Sequence, residues 1–144
     1  MTTVTKTVKF DAAHILTNHQ GLCKNLHGHT YKVEVACAKE LESAARTEVH
    51  PCDMVIDFKE LKGIAEKEIC EKFDHAFIYN STSAAECEIA AVVKKYGMRT
   101  VELPFRSTAE NLAKYFFESL ASKVPNLAAV KVWETADSCA EYRS

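Results

Sequence analysis

The chain has 144 residues, 47% of them hydrophobic and 26% charged, with a formal net charge of −2. That length suffices for one domain with a sizeable core, and the mixed composition is that of a globular protein. The near-neutral balance argues against broad electrostatic binding to nucleic acid or to an anionic membrane, and no stretch approaches the roughly 20 apolar residues that span a bilayer.

The N-terminal "MTTVTKTVKFDAAH" lacks the continuous apolar run of a signal peptide. It alternates instead: Val4, Val8, Phe10, Ala12 and His14 share one parity, with Thr5, Thr7 and Lys9 opposite. This predicts a first strand. A second strand is expected from about Leu26 to Ala38, where His27, His29, Tyr31, Val33, Val35 and Cys37 share a parity and Lys32 and Glu34 point away. About a dozen residues join the two, long for a hairpin, and that loop carries Cys23.

"DMVIDFKELKGIAEKEICEKF" reads as a short strand and then a helix. Asp57 and Glu60 have capping-box spacing, and Phe58, Leu61, Ala65, Ile69 and Phe73 form the apolar stripe. A helix is predicted from about Ala84 to Tyr96, opened by Ser83 and Glu86, with Ile89, Val92, Val93 and Tyr96 inward and Gly97 ending it. "RTVELPF" alternates as a strand. Ser107 and Glu110 open a further helix, with Leu112, Tyr115, Phe116 and Leu120 inward and Pro125 closing it. "AAVKVWET" is the last predicted strand, with Val130, Val132 and Glu134 on one face. No repeat, low-complexity tract or linker interrupts the chain, so residues 1–144 are expected to form a single domain. The irregular mixture of strands and helices predicts an α+β fold with a largely antiparallel sheet and helices on one face.

The chemistry concentrates in "CKNLHGHTY". Two histidines at i and i+2 of a strand project to one side, and His14 on the partner strand completes a three-nitrogen face. Any one histidine on an apolar face is most simply a core residue. Three converging ones suit Zn2+, with a fourth position left open for water or substrate, as in catalytic sites. His19 is a rival ligand by composition, whereas His50 and His75 are remote in sequence. The six cysteines (23, 37, 52, 70, 87 and 139) include no CxxC pair and are expected as reduced thiols in the cytoplasm. Taken alone, Cys23 reads as an inert thiol; beside a cation or metal it becomes a candidate base or nucleophile. Asp74 and His75 place a carboxylate next to an imidazole, a weak signal for proton transfer. Glu134 continues the face of Val130 and Val132, so its carboxylate is a candidate for burial and needs a partner. That partner is a ligand with two adjacent N–H donors or a structural Arg, unless the side chain simply emerges into solvent.

The segments "FDAAH", "CKNLHGH", "VIDFKELK", "FDHAF", "STAENLA" and "VWET" occur in an order that resembles the 6-pyruvoyltetrahydropterin synthase / 6-carboxytetrahydropterin synthase family, over nearly the whole chain. The three residues between Cys23 and His27 resemble the bacterial 6-carboxytetrahydropterin synthases of queuosine biosynthesis. The resemblance implies the tunnelling fold: a four-stranded antiparallel sheet with two helices on one face, its subunits joined into a barrel as trimers or hexamers. It makes His14, His27 and His29 the zinc ligands and Cys23 the proton acceptor. Asp74 and His75 would be the relay, supplied at a subunit interface, and Glu134 the pterin anchor with Thr135 and Thr108 nearby. Lys24 is a candidate for the triphosphate. The implied reaction converts 7,8-dihydroneopterin triphosphate to 6-carboxy-5,6,7,8-tetrahydropterin with loss of acetaldehyde and triphosphate. The alternatives are the pyruvoyl synthase reaction, an aldolase-like cleavage, and a non-catalytic zinc- or pterin-binding protein. The chain departs from compact bacterial members in an added segment at about 84–105, expected as helix plus strand.

Overall fold

Two thirteen-residue strands, β1 (Thr2–His14) and β2 (His27–Lys39), form the spine of the fold in a computed structural model that describes residues 1–41 and 53–144. His50 and Cys52 lie outside the described residues. The strands pair antiparallel along their full length, with Val8 opposite Val33 and Phe10 opposite Tyr31. The alternation is as the sequence predicts: Tyr31, Val33, Val35 and Cys37 are fully buried, and the intervening residues are partly exposed.

The strand count and the layering need correction. The sheet has six strands in the order β4-β3-β1-β2-β5-β6. β3 (Ala76–Asn80) and β4 (Thr100–Leu103) add to the β1 edge in parallel, so the sheet is mixed rather than a four-stranded antiparallel one. β5 (Leu127–Trp133) and β6 (Cys139–Arg143) complete an antiparallel half with β1 and β2. "AFIYN" gave no strand signal because it is buried at all five positions, which erases the period-two alternation. β6 follows β5 through a short turn, and its first and last residues are exposed.

Helices cover both faces, not one. α1 (Phe58–Ala65) starts at Asp57, whose carboxylate accepts from the Lys59 and Glu60 amides, and runs on through a π turn (Glu66–Cys70) into α2 (Glu71–Phe73). Together with α4 (Ala109–Leu120) it packs on Val8, Phe10, Tyr31, Val33, Val130 and Val132. Each such fully buried side chain contributes on the order of 1.5–3 kcal/mol of transfer free energy. α3 (Ala84–Lys95) lies on the other face: Ala90 packs with Phe77, Tyr79 and Ile15, while Ile78 between them joins the main core. Its buried side is Glu86 and Ala90, and the expected inward residues Val92 and Tyr96 are exposed. "VID" is not a strand; Val55 and Ile56 are buried in bends before the helix. α4 is capped by Thr108, which accepts from the Asn111 amide, and not by Ser107. No described helix is long and apolar enough to cross a membrane.

Candidate metal centre and adjoining cavity

The β1–β2 register sets His14 opposite His27 and Ala12 opposite His29. Because all three histidines share a face, their rings meet with centroids 4.6, 5.1 and 5.0 Å apart. One nitrogen from each lies within 4.8 Å of the others. Gly28 between the two β2 histidines has a steric role. A Cβ there would sit 3.0 Å from the Ala12 carbonyl oxygen, against the partner strand.

Backbone carbonyls fix the ring tautomers. His14 Nδ1 donates to the Ser107 carbonyl at 3.0 Å, with the Ser107 and Tyr31 hydroxyls beside it, and His27 Nδ1 donates to the Asn25 carbonyl at 2.6 Å. A carbonyl only accepts, so in both neutral rings Nε2 carries the lone pair. Those two Nε2 atoms face each other at 3.0 Å with no proton to share. Protonating one is opposed: burial, then the neighbouring His27 and His29, lower the His14 pKa from 6.5 to about 4, and burial lowers that of His29. Three buried side-chain polar atoms lack a partner among the described residues, and two of them, His29 Nε2 and Glu134 Oε1, are here. Buried polar atoms are rarely left so. Three imidazoles with converging nitrogens, two of them oriented by carbonyls behind them, fit a divalent cation.

Glu134, just past β5, has its Oε1 4.0 Å from His14 Nε2. Burial, then Glu110, raise its pKa, with His27 opposing. Glu134 also lines a cavity of about 340 Å³ together with Cys23, Thr108, Arg106, His19 and Cys139. Cys23 sits half-buried on a single 3-10 turn (Leu22–Lys24), its carbonyl held by the Leu16 amide at 2.9 Å. His19 is not a fourth imidazole of the cluster; its Nδ1 accepts from the Gly21 amide and helps close the turn.

Other predicted residues lie elsewhere. His75 lines a space of about 670 Å³ on the α3 side of the sheet with His29, Ala13, Phe77, Ile89 and Val93, whereas Asp74 lines a separate one of about 340 Å³ with Lys9, Cys70 and Arg99. Within one chain they share no described cavity with Cys23. The Asp74 carboxylate accepts from the Asp11 amide at 2.9 Å and pairs with His75 Nδ1 at 2.9 Å. His75 adopts φ 58°, a left-handed conformation uncommon outside glycine, and its ring is 75% exposed. Thr135 is exposed and donates to Asp137. Lys24 lines a separate cleft beside α3. The sequence reading missed Ser107 and Tyr31, which orient His14, and Arg106, which lines the Cys23 cavity; only the adjacency of two cap-forming residues, Ser107 and Thr108, hinted that one had another task.

A family profile described as "PTPS: 6-pyruvoyl tetrahydropterin synthase" matches residues 3–144. A protein of Haemophilus influenzae named 6-carboxy-5,6,7,8-tetrahydropterin synthase is 40% identical over 141 residues, covering 97% of each chain. One of the same name from Aquifex aeolicus is 35% identical over 164 residues, covering 97% of this chain and 96% of its own. In fold, the chain is similar to 6-pyruvoyl tetrahydropterin synthase of Caenorhabditis elegans, with a TM-score of 0.67 at 24% identity, covering 99% of this chain and 95% of that one. An uncharacterized protein from Wolinella succinogenes gives 0.75 at 21% identity, covering 99% and 98%. With the match running from residue 3 to the last residue, the chain belongs to the 6-pyruvoyl tetrahydropterin synthase family.

Proposed function

We propose that the protein is a zinc-dependent 6-carboxy-5,6,7,8-tetrahydropterin synthase, converting 7,8-dihydroneopterin triphosphate to the 6-carboxy product with release of acetaldehyde and triphosphate. The observation that carries the reading is that Glu134 shares a cavity with Cys23 while its Oε1 stands 4.0 Å from His14 Nε2 in the cluster of three imidazoles. The name carried by the Haemophilus and Aquifex relatives and the three-residue spacing from Cys23 to His27 support the carboxy product.

His14, His27 and His29 would hold the ion. Zinc, when bound, supplies Lewis acidity toward the substrate side-chain oxygens. Glu134, without a partner at Oε1 among the described residues, accepts the paired N–H donors of the aminopyrimidinone ring and so fixes the reacting carbons in the cavity. Thr108 lines the same cavity; Thr135 is the more distant candidate. Cys23, as thiolate, takes the proton from carbon. Asp74 orients His75, which exchanges protons with substrate oxygen from a neighbouring subunit's copy of the pair, in a cytoplasmic homo-oligomer of trimers or hexamers. The product belongs to 7-deazaguanine (queuosine) synthesis.

The test is incubation of purified, zinc-loaded protein with 7,8-dihydroneopterin triphosphate and identification of products by mass spectrometry. A carboxypterin and acetaldehyde are expected. A pyruvoyl product overturns the carboxy assignment, and no turnover together with tight pterin binding replaces the enzyme by a binding protein.

A further inference from the structure

Glu86 is a carboxylate on α3 with only 1% of its surface exposed, and no cation faces it among the described residues. Burying such a group is unfavourable unless hydrogen bonds satisfy it. Its two oxygens are divided between two elements. Oε1 accepts from the Asn80 amide at 3.2 Å, at the end of β3. Oε2 accepts from the Thr17 hydroxyl at 2.6 Å, across 69 residues of sequence. Ser83, the cap of α3, adds a contact to the same hydroxyl at 3.3 Å. Among the described residues these are the side-chain hydrogen bonds that tie the 15–26 loop to α3.

The alternation of β1 continues past its last residue. Ile15 and Thr17 both face α3, the first in the apolar cluster of Phe77, Tyr79 and Ala90, the second on Glu86. Leu16 between them faces the other way, lines the Cys23 cavity, and holds the Cys23 carbonyl with its amide at 2.9 Å. Asn18 then turns the chain in a left-handed conformation, φ 67°. A continuous path therefore runs from Glu86 through Thr17 and Leu16 to Cys23. A cleft of about 290 Å³ runs between the loop and α3, with Thr17, Asn18, Lys24 and Asn25 on one wall and Ala85, Glu86 and Ile89 on the other, and the Thr17–Glu86 bond joins the two walls.

We propose that Glu86 and Thr17 are positioning residues for Cys23, and that the α3 segment serves as the strut that fixes the cysteine loop. This rests on the proposed function only in giving Cys23 a catalytic task; the placement of the loop is independent of which pterin product forms. The decisive variant is Thr17→Val, which keeps shape and removes the hydroxyl from a half-buried side chain.

Peptide-resolved alkylation with iodoacetamide, followed across pH, reads the loop without any substrate. Thr17→Val is expected to raise the rate at Cys23 by about threefold to tenfold, with Cys87 and Cys139 unchanged, because a released loop exposes its thiol. In the zinc-loaded enzyme kcat falls about tenfold with KM within about twofold, as a misplaced base predicts. Thr17→Ser restores both. Combining Thr17→Val with Glu86→Gln is no worse than Glu86→Gln alone, since one contact is lost only once. If Glu86→Gln does not fold, the Thr17 pair decides. Wild-type alkylation and kcat in Thr17→Val, a parallel rise at all three cysteines, or additive losses in the double variant would overturn the proposal. Failure of the product assay with the alkylation result intact would overturn the enzymatic reading and leave the strut.

Discussion

Two polar clusters, each built on one fully buried side chain (Glu86 in one, His14 in the other), flank β1, and they are solved in opposite ways. On the α3 side, Glu86 has its oxygens on Thr17 and Asn80, and Asn80 in turn accepts from the Thr82 amide and hydroxyl. Every strong acceptor is answered from within the chain. On the other side, His14, His27, His29 and Glu134 are also drawn together, yet among the described residues His29 Nε2 and Glu134 Oε1 have no partner and two imidazole lone pairs face each other. A cluster closed on itself is architecture. A cluster that leaves acceptors aimed at one another is suited to a partner from outside the chain, which is the part the proposed function gives to a cation and a hydrogen-bond-donating ligand.

Replacing Cys23 with Ala tests the open cluster hardest. Turnover should drop by about a thousandfold or more while bound zinc, measured by elemental analysis, is retained. Unchanged function would make the site a binding centre only. Chelation comes next: it should abolish turnover and lower Tm, yet leave the far-ultraviolet circular dichroism folded, because the large apolar core of β1, β2, α1 and α4 is held by side chains such as Val8, Phe10, Val33, Leu112 and Phe116 that need no ion. Unfolding on chelation would assign the ion a structural role instead.

The third prediction concerns the metal-free protein. His14 titrates at about 4 when folded, against the ordinary histidine value of 6.5 in the unfolded chain, so between those values the unfolded chain binds a proton that the folded one refuses. Stability must therefore fall as pH drops from about 6.5 toward about 4, by up to about 3 kcal/mol, measurable in denaturant titrations at each pH. His14→Gln should flatten that slope. In the closed cluster Asn80→Ala should cost only about 1–2 kcal/mol in stability and leave zinc affinity unchanged, because it removes bonds that never faced the ion.

Much of this was legible in the residues. Strand parity gave His14, His27 and His29 a common face, and the cap spacings located Asp57 and Ser83, each of which does accept from its helix amides. Glu134 was readable as a candidate for burial because it continues the alternation of Val130 and Val132, both fully buried, and it is half-buried in the structure. Ser107 was misread as a cap, since a serine that caps a helix and one that steadies a histidine look alike in sequence. The capping-box reading of Glu86 was half right: Ser83 accepts from its amide, but its carboxylate reaches Thr17 and Asn80.

Local periodicity thus determined what each strand and most helices would bury, because side-chain direction follows from backbone geometry within a few residues. It could not determine the face on which α3 docks, the parallel addition of β3 and β4, or the separation of Asp74 and His75 from Cys23 within one chain. Those depend on partners tens of residues away. A doubly buried strand carries no alternation, and a carboxylate's role is set by whichever distant donor the fold brings to it.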